Sequence, residues 1–287
     1  MLFPAAIFAA LLVLLILISG AIAATASSLT IPVPDSFVMN VMLHRTAGEY
    51  GGAVAIALFA WLGIAIQHPK GKALAWILCL GVAVQGLLGA LPAAGYAGGT
   101  LGLLHAFLAQ VLLAGSAALV VRASASWSGD PQIIQDYGWP SLRSLSFILP
   151  LFVAMQVGLG AAFRQRILGL MPHIIGAMLV SLFILMVGAF VLQQCKDHPT
   201  LQPAGKTLMV ATFVQVFLGI SAFTVRSLPT QETTAILIIA TAHVATGAFL
   251  LSASVVLGMQ IRRNVVPKQA TTAELPNTQS SAPPPPD

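Results

Sequence analysis

Residues 73–121 read ALAWILCLGVAVQGLLGALPAAGYAGGTLGLLHAFLAQVLLAGSAALVV, and this stretch decides the fold. It holds two apolar runs, 73–93 and 101–121, joined by a glycine-rich turn. A spanning helix needs about 20 mostly apolar residues, and each run meets that length. Both are too long for soluble strands and lack the alternation of a transmembrane barrel. The reading is therefore a helical hairpin that crosses a bilayer and returns. Its first arm ends near Gln85-Gly-Leu-Leu-Gly89, and its second begins near His105.

The same unit recurs along the chain. Eight segments are long and apolar enough to span: 3–26, 37–66, 73–93, 101–121, 144–163, 171–193, 205–225 and 233–261. The fifth carries Gln156-Val-Gly-Leu-Gly160 and the seventh Gln215-Val-Phe-Leu-Gly219; the first ends in Ser19-Gly20 without the glutamine. The even segments carry His44, His105, His173 and His243, each with Gly or Ala four residues on. A glycine helix followed by a histidine helix is thus written four times. Two hairpins make a half, and two halves make the chain. The expected fold is all-α and integral to the membrane, with eight transmembrane helices in two pseudo-symmetric four-helix bundles. The expected divisions are 1–121, a connecting loop at 122–143, 144–263, and a disordered tail at 264–287 that ends in Ser-Ala-Pro-Pro-Pro-Pro-Asp.

Composition agrees. The chain is 57% hydrophobic and 7% charged, with a mean hydropathy of +0.92. Soluble domains carry roughly 25% charged residues, so there is too little polar surface for a water-soluble body. The net charge of +5 does not imply nucleic acid, because the basic residues are scattered over short loops. Those loops give the orientation. With both termini cytoplasmic, the inner side holds nine cations: Lys70, Lys72, Arg122, Arg143, Lys196, Lys206, Arg262, Arg263 and Lys268. The outer side holds four: Arg45, Arg164, Arg166 and Arg226. This places all four repeat histidines toward the outer leaflet of a bacterial-type plasma membrane. The first segment reads as a retained helix, since no positive side chain precedes it and its apolar run exceeds that of a signal peptide.

An imidazole in a membrane is costly and marks function by default. A lone one is most often a packing residue, but four in a repeat argue for two pairs. One imidazole from each of two helices at similar depth is the geometry for two axial ligands on a haem iron. Zinc or copper fits less well, because no thiolate or carboxylate accompanies the histidines. A proton relay would include intramembrane carboxylates, and Glu49 is the sole one within a span. A transporter built on inverted repeats is disfavoured, since four helices per half restore the same sidedness. Haem carries two propionates, and Arg45, Arg164, Arg166 and Arg226 lie where guanidinium groups would meet them; lipid phosphate is the bland alternative. His68 and His198, each before a proline in an inner loop, read as solvated loop residues. Cys79 and Cys195 form no metal or redox spacing and read as buried thiols.

At these residues the chain resembles the haem A synthase family. The stretch from Ser19-Gly20 to Pro34-Asp35 is similar to the family's first outer loop. His44-Arg45 is similar to its histidine–arginine pair, and Gln85 to Gly89 followed by His105-Ala-Phe-Leu-Ala-Gln110 to its third and fourth helices. Pro172-His173 and Ala242-His243 extend the likeness, more loosely, over roughly residues 3–262. The resemblance implies oxidation of the C8 methyl of haem O to a formyl, giving haem A for terminal oxidases. It implies that His173 and His243 hold haem b, and that His44 and His105 mark the haem O substrate site. The partners implied are haem O synthase, cytochrome oxidase or another respiratory complex, with homo-oligomers possible. The family usually has a glutamate three residues before the first histidine; here that position is Val41, and Asn40 and Glu49 are the polar residues near it. A non-enzymatic bis-histidine haem b protein of the same fold is the alternative expectation.

Overall fold

The computed structural model describes residues 1–27, 34–91, 99–228 and 233–268. Residues 28–33, within the first stretch of resemblance, and the tail from 269 lie outside the described residues. Among the described residues, eight helices are long and apolar enough to cross a membrane. They are α1 (Leu2–Ala26), α2 (Pro34–Thr46) continuing through a π turn at Ala47–Gly51 into α3 (Gly52–Ala65), α4 (Pro69–Ala90), α5 (Gly99–Ala123), α7 (Leu142–Arg164), α8 (Leu170–Gln194), α9 (Leu201–Ser227) and α10 (Thr233–Asn264). A four-residue α6 (Ala125–Ser128) lies in the central loop. The protein is an all-α integral membrane protein. In lipid a helix satisfies its own backbone, which is why apolar runs of this length fold this way.

The helices close into two rings. In the first, α1, α2–α3, α4 and α5 each pack on the next, and α5 returns to α1. In the second, α7, α8, α9 and α10 do the same. Each ring has its own buried cluster, one around Phe59, Leu62 and Leu119, the other around Leu149, Ile184 and Leu257. The rings meet along α5 and α10, flanked by α1 on α10 and α5 on α7. Small residues let backbones approach closely. At Gly258 a Cβ would stand 2.7 Å from the Ser146 carbonyl oxygen, so α7 and α10 touch there through their backbones.

The end remote from the repeat histidines is closed by a polar knot. Asp136, buried, accepts from the backbone N–H groups of Leu142 and Arg143, both at 3.3 Å, and from the Ser141 hydroxyl at 2.9 Å. It thereby caps α7, whose first N–H groups have no helical partner. Ile134–Gln135 (β1) pairs in parallel with Val265–Val266 (β2). The first tail residues are therefore built into the fold: Asn264 ends α10, and Val265 is buried. Arg143 bonds the carbonyls of Arg262 and Val265, and Arg263 bonds those of Ser126 and Gly129. The guanidinium groups of Arg122 and Arg263 lie over the Trp127 ring, 5.4 and 4.7 Å from its centroid.

His198 corrects an expectation. It is 7% exposed, not solvated. Its Nδ1 accepts from the N–H groups of Thr200 and Leu201, both at 3.2 Å, and its Nε2 lies 3.1 Å from the Gln132 carbonyl. It caps α9 as Asp136 caps α7, and it binds the α8–α9 loop to the central one. His68 is exposed, as expected.

Candidate paired-histidine sites

Each repeat glycine meets the histidine of the next spanning helix. A Cβ built on Gly20, Gly89 or Gly160 would stand 2.9 Å from Cε1 of His44, His105 or His173, and one on Gly219 would stand 3.0 Å from Cε1 of His243. Carbon atoms at rest lie about 3.5–4.0 Å apart, so each imidazole occupies the space a side chain would fill. The i to i+4 spacing of QxxxG puts a polar group and a gap on one helix face, and the gap receives a ring.

The rings come together in two pairs. His44 and His105 have centroids 6.1 Å apart with planes at 71°, and His173 and His243 are 6.3 Å apart at 90°. All four are half-buried. The two arrangements are near copies, one per ring of helices.

In the first repeat the glutamine position, four residues before Gly20, is Ile16, and Ser19 next to the glycine supplies the polar contact. Ser19 donates its single hydroxyl proton to the Ile16 carbonyl at 2.8 Å and lies 3.0 Å from His44 Nδ1. With that proton directed to Ile16, Ser19 Oγ is left to accept, which favours the hydrogen on Nδ1 and the lone pair on Nε2. This is the tautomer of a metal-ligating imidazole. Gln156 Nε2 donates to the His173 carbonyl at 2.8 Å and lies 2.9 Å from His173 Nδ1. That arrangement puts the proton of His173 on Nε2, so ligation requires a half turn of ring or amide. Gln85 Nε2 donates to the His105 carbonyl at 3.0 Å, while the amide-to-ring distances at His105 and His243 are long, 3.5 and 3.4 Å.

Buried polar atoms without a partner are rare in folded proteins, and each calls for an explanation. Among the described residues they are Oε1 of Gln85, Gln156 and Gln215, Nδ1 of His105 and His243, and the Thr241 hydroxyl. All but Thr241 belong to the repeated glutamine–histidine contacts, and Thr241 is two residues from His243.

A single metal can be tested against this geometry. Two imidazoles sharing one ion in line have centroids about 6 Å apart, from bonds of about 2.0 Å and ring radii of about 1.1 Å. Both pairs meet that span. Among the described residues, no group of three or more His, Cys, Asp or Glu side chains gathers to hold a metal. Two imidazoles leave a tetrahedral zinc short of donors, whereas they complete an iron that already has four porphyrin nitrogens. In centroid span and number of donors the pairs suit a haem iron better than a zinc ion.

Arg45, Arg164, Arg166 and Arg226 are placed differently from one another. Arg45, at the end of α2, is exposed, and its Nε donates at 2.9 Å to Oε1 of Glu49 in the π turn. Arg164 is half-buried and donates to the Ala21 carbonyl at 2.8 Å and the Thr25 hydroxyl at 3.0 Å, which ties α7 to α1. Arg166, in the left-handed region at φ 57°, follows it. Arg164, Gln165 and Arg166 line a cavity of about 350 Å³ with Ala24 and Ser27. Arg226, exposed at the end of α9, is close enough to Arg164 for their charges to interact. Val41 is 41% exposed, and Asn40 is half-buried.

Fold and geometry together define a class: an integral membrane helical protein with one imidazole pair in each half. No protein-family model matches the chain, and no curated protein does either.

Proposed function

We propose that the chain is a membrane haem protein in which His44 with His105, and His173 with His243, each grip one iron. The observation that carries this reading is the pair of centroid separations, 6.1 and 6.3 Å, set among orphaned ring and amide atoms. The repeat glycines fix how deep each ring sits. Ser19 favours the His44 lone pair on Nε2, and the glutamines hold the other rings from their flanks. Arg164 and Arg166, beside a cavity that no repeat histidine lines, are the cations we assign to propionates, Arg164 with the donors that its bonds to Ala21 and Thr25 leave over; Arg226 is its neighbour, and Arg45 is engaged with Glu49. Both termini are cytoplasmic on the count of nine inner cations against four outer ones.

Within that class, the resemblance supplies a reaction: haem A synthase-like oxidation of the C8 methyl of haem O to a formyl, with His44 and His105 around the substrate haem and His173 and His243 on haem b. Bound haem supplies the redox chemistry; the chain supplies ligands, orientation and shelter from water. A second reading, a non-enzymatic bis-histidine haem b protein passing electrons, is favoured by one specific observation. The position where the family's glutamate stands is Val41, and Glu49 is turned to Arg45.

Protein purified from cells making haem O decides between them by acid extraction and chromatography. Haem A in the extract supports the oxidase. Unchanged haem b with bis-histidine spectra supports the second reading. A preparation with no Soret band removes both.

A further inference from the structure

Ser116, Thr212 and Ser252, buried in the spans, donate to carbonyls four residues back at 2.7, 2.8 and 2.8 Å, so their hydroxyls are spent within their own helices. Lys206 and Thr207 on α9 differ. Both are exposed, and among the described residues neither makes a hydrogen bond or an ion pair. Asp197, the carboxylate in the loop before α9, does not pair with Lys206. Lys206 stands five residues into the helix, about 7.5 Å along its axis from the knot end. A charge is costly in lipid, so the stem follows the helix and the ammonium reaches back to the interface.

The same two residues open a groove. With Val210 and Val214 of α9 and Thr246 and Phe249 of α10 they line a cavity of about 440 Å³. Val210, Val214 and Phe249 are exposed, so the groove faces lipid and not the bundle interior. Lys206 to Val214 is eight residues, about 12 Å. That fits within roughly 15 Å, the share of one leaflet in a hydrocarbon core of about 30 Å. A partner helix would need a track across the whole core. A cation and a hydroxyl at the interface end, with apolar side chains toward the middle, match an amphiphile of a single leaflet.

The first half fills the equivalent position from within. Lys206 lies nine residues before Gln215; nine before Gln85 stands Trp76, on α4, the third spanning helix of its half. A Cβ on Gly63 would stand 2.8 Å from the Trp76 Nε1, so the indole packs against α3. The second half has a cation over a groove where the first has a ring against its neighbour.

We propose that the groove between α9 and α10 binds an anionic phospholipid of the leaflet on the knot side. Its phosphate meets the Lys206 ammonium and the Thr207 hydroxyl, and one acyl chain lies over Val210, Val214 and Phe249. Basic pockets between spanning helices on the cytoplasmic side recognise acidic head groups, and the cation count assigns this end to the cytoplasm. The site is separate from the histidine pairs.

The test is native mass spectrometry of the full chain, released from detergent after equilibration with dioleoylphosphatidylglycerol or dioleoylphosphatidylcholine. The unaltered protein holds the anionic lipid in preference to the zwitterionic one. Lys206→Gln lowers affinity for the anionic lipid about fivefold, the ratio given by about 1 kcal/mol per lysine near a charged surface at about 1.4 kcal/mol per tenfold. Lys70→Gln, at an exposed lysine of the same end on α4, leaves it unchanged. Val210→Trp fills the groove and keeps the charge; it also lowers the affinity, and it decides the matter if Lys206→Gln does not accumulate. Equal binding of the two lipids, an equal loss in Lys70→Gln, or undiminished binding in Val210→Trp overturns the proposal. The measurement needs no haem, so failure to take up haem removes the proposed function and leaves this test intact.

Discussion

Replacing Gly89 with alanine puts a methyl carbon 2.9 Å from His105 Cε1. Ordinary carbon contacts are about 3.5–4.0 Å, so the ring must retreat by roughly 0.6–1 Å or the helices must part. A metal–nitrogen bond of about 2.0 Å does not stretch by that amount and survive. Overpacking of this kind costs about 1–3 kcal/mol. At about 1.4 kcal/mol per tenfold, haem affinity at the first site falls about 5- to 150-fold. Gly86→Ala, three residues earlier on the same helix, is the control, because its Cβ meets nothing within 4 Å. Both changes raise helix propensity alike, by up to about 1 kcal/mol, so a difference between them reports the ring contact alone. Haem titration of the depleted protein, followed at the Soret band, reads the affinity. Equal affinities in Gly89→Ala and Gly86→Ala would refute the argument that the glycine makes room for a ligating imidazole.

Three further outcomes are expected. His198→Ala strips the cap from two backbone N–H groups and lowers stability by about 1–3 kcal/mol, seen as an earlier thermal melt with haem content unchanged; a melt identical to wild type contradicts the capping role. Burial, with the nearby Asp136 charge adding to it, pushes the Cys195 thiol up to about 11. The thiolate is thus scarce at neutral pH, so alkylation of Cys195 in the folded protein stays slow there and quickens as pH rises toward that value; fast labelling at pH 7 counts against it. Restoring the carboxylate with Val41→Glu raises haem A in the extract if the second reading describes the present chain; an unchanged extract argues that Val41 is not what limits oxidation.

The spans were legible because bilayer thickness imposes a length on apolar runs, and the eight segments depart from the observed helices by a few residues at their ends. The histidine pairing was legible because four hairpins repeat the same spacing. Ser19's contact in place of the missing glutamine was visible only as a gap, since its role depends on where its one proton goes. The π turn at Ala47–Gly51 has no periodic signature in the sequence, whereas the Arg45–Glu49 pair has the i, i+4 spacing of neighbours on one helix face. The two-residue strands are too short for alternation to show, and their partners are 131 positions apart. His198 was misjudged because a loop position next to proline reads as solvated, while its burial comes from a second loop distant in sequence.

The most direct test replaces the histidines two at a time. Haem per chain and the Soret spectrum are measured for His44→Ala with His105→Ala, for His173→Ala with His243→Ala, and for the unaltered protein. The account predicts that each double variant loses the haem of its own half and keeps the other's low-spin bis-imidazole spectrum. Bound pigment and absorption left unchanged in the His173→Ala, His243→Ala protein would contradict it.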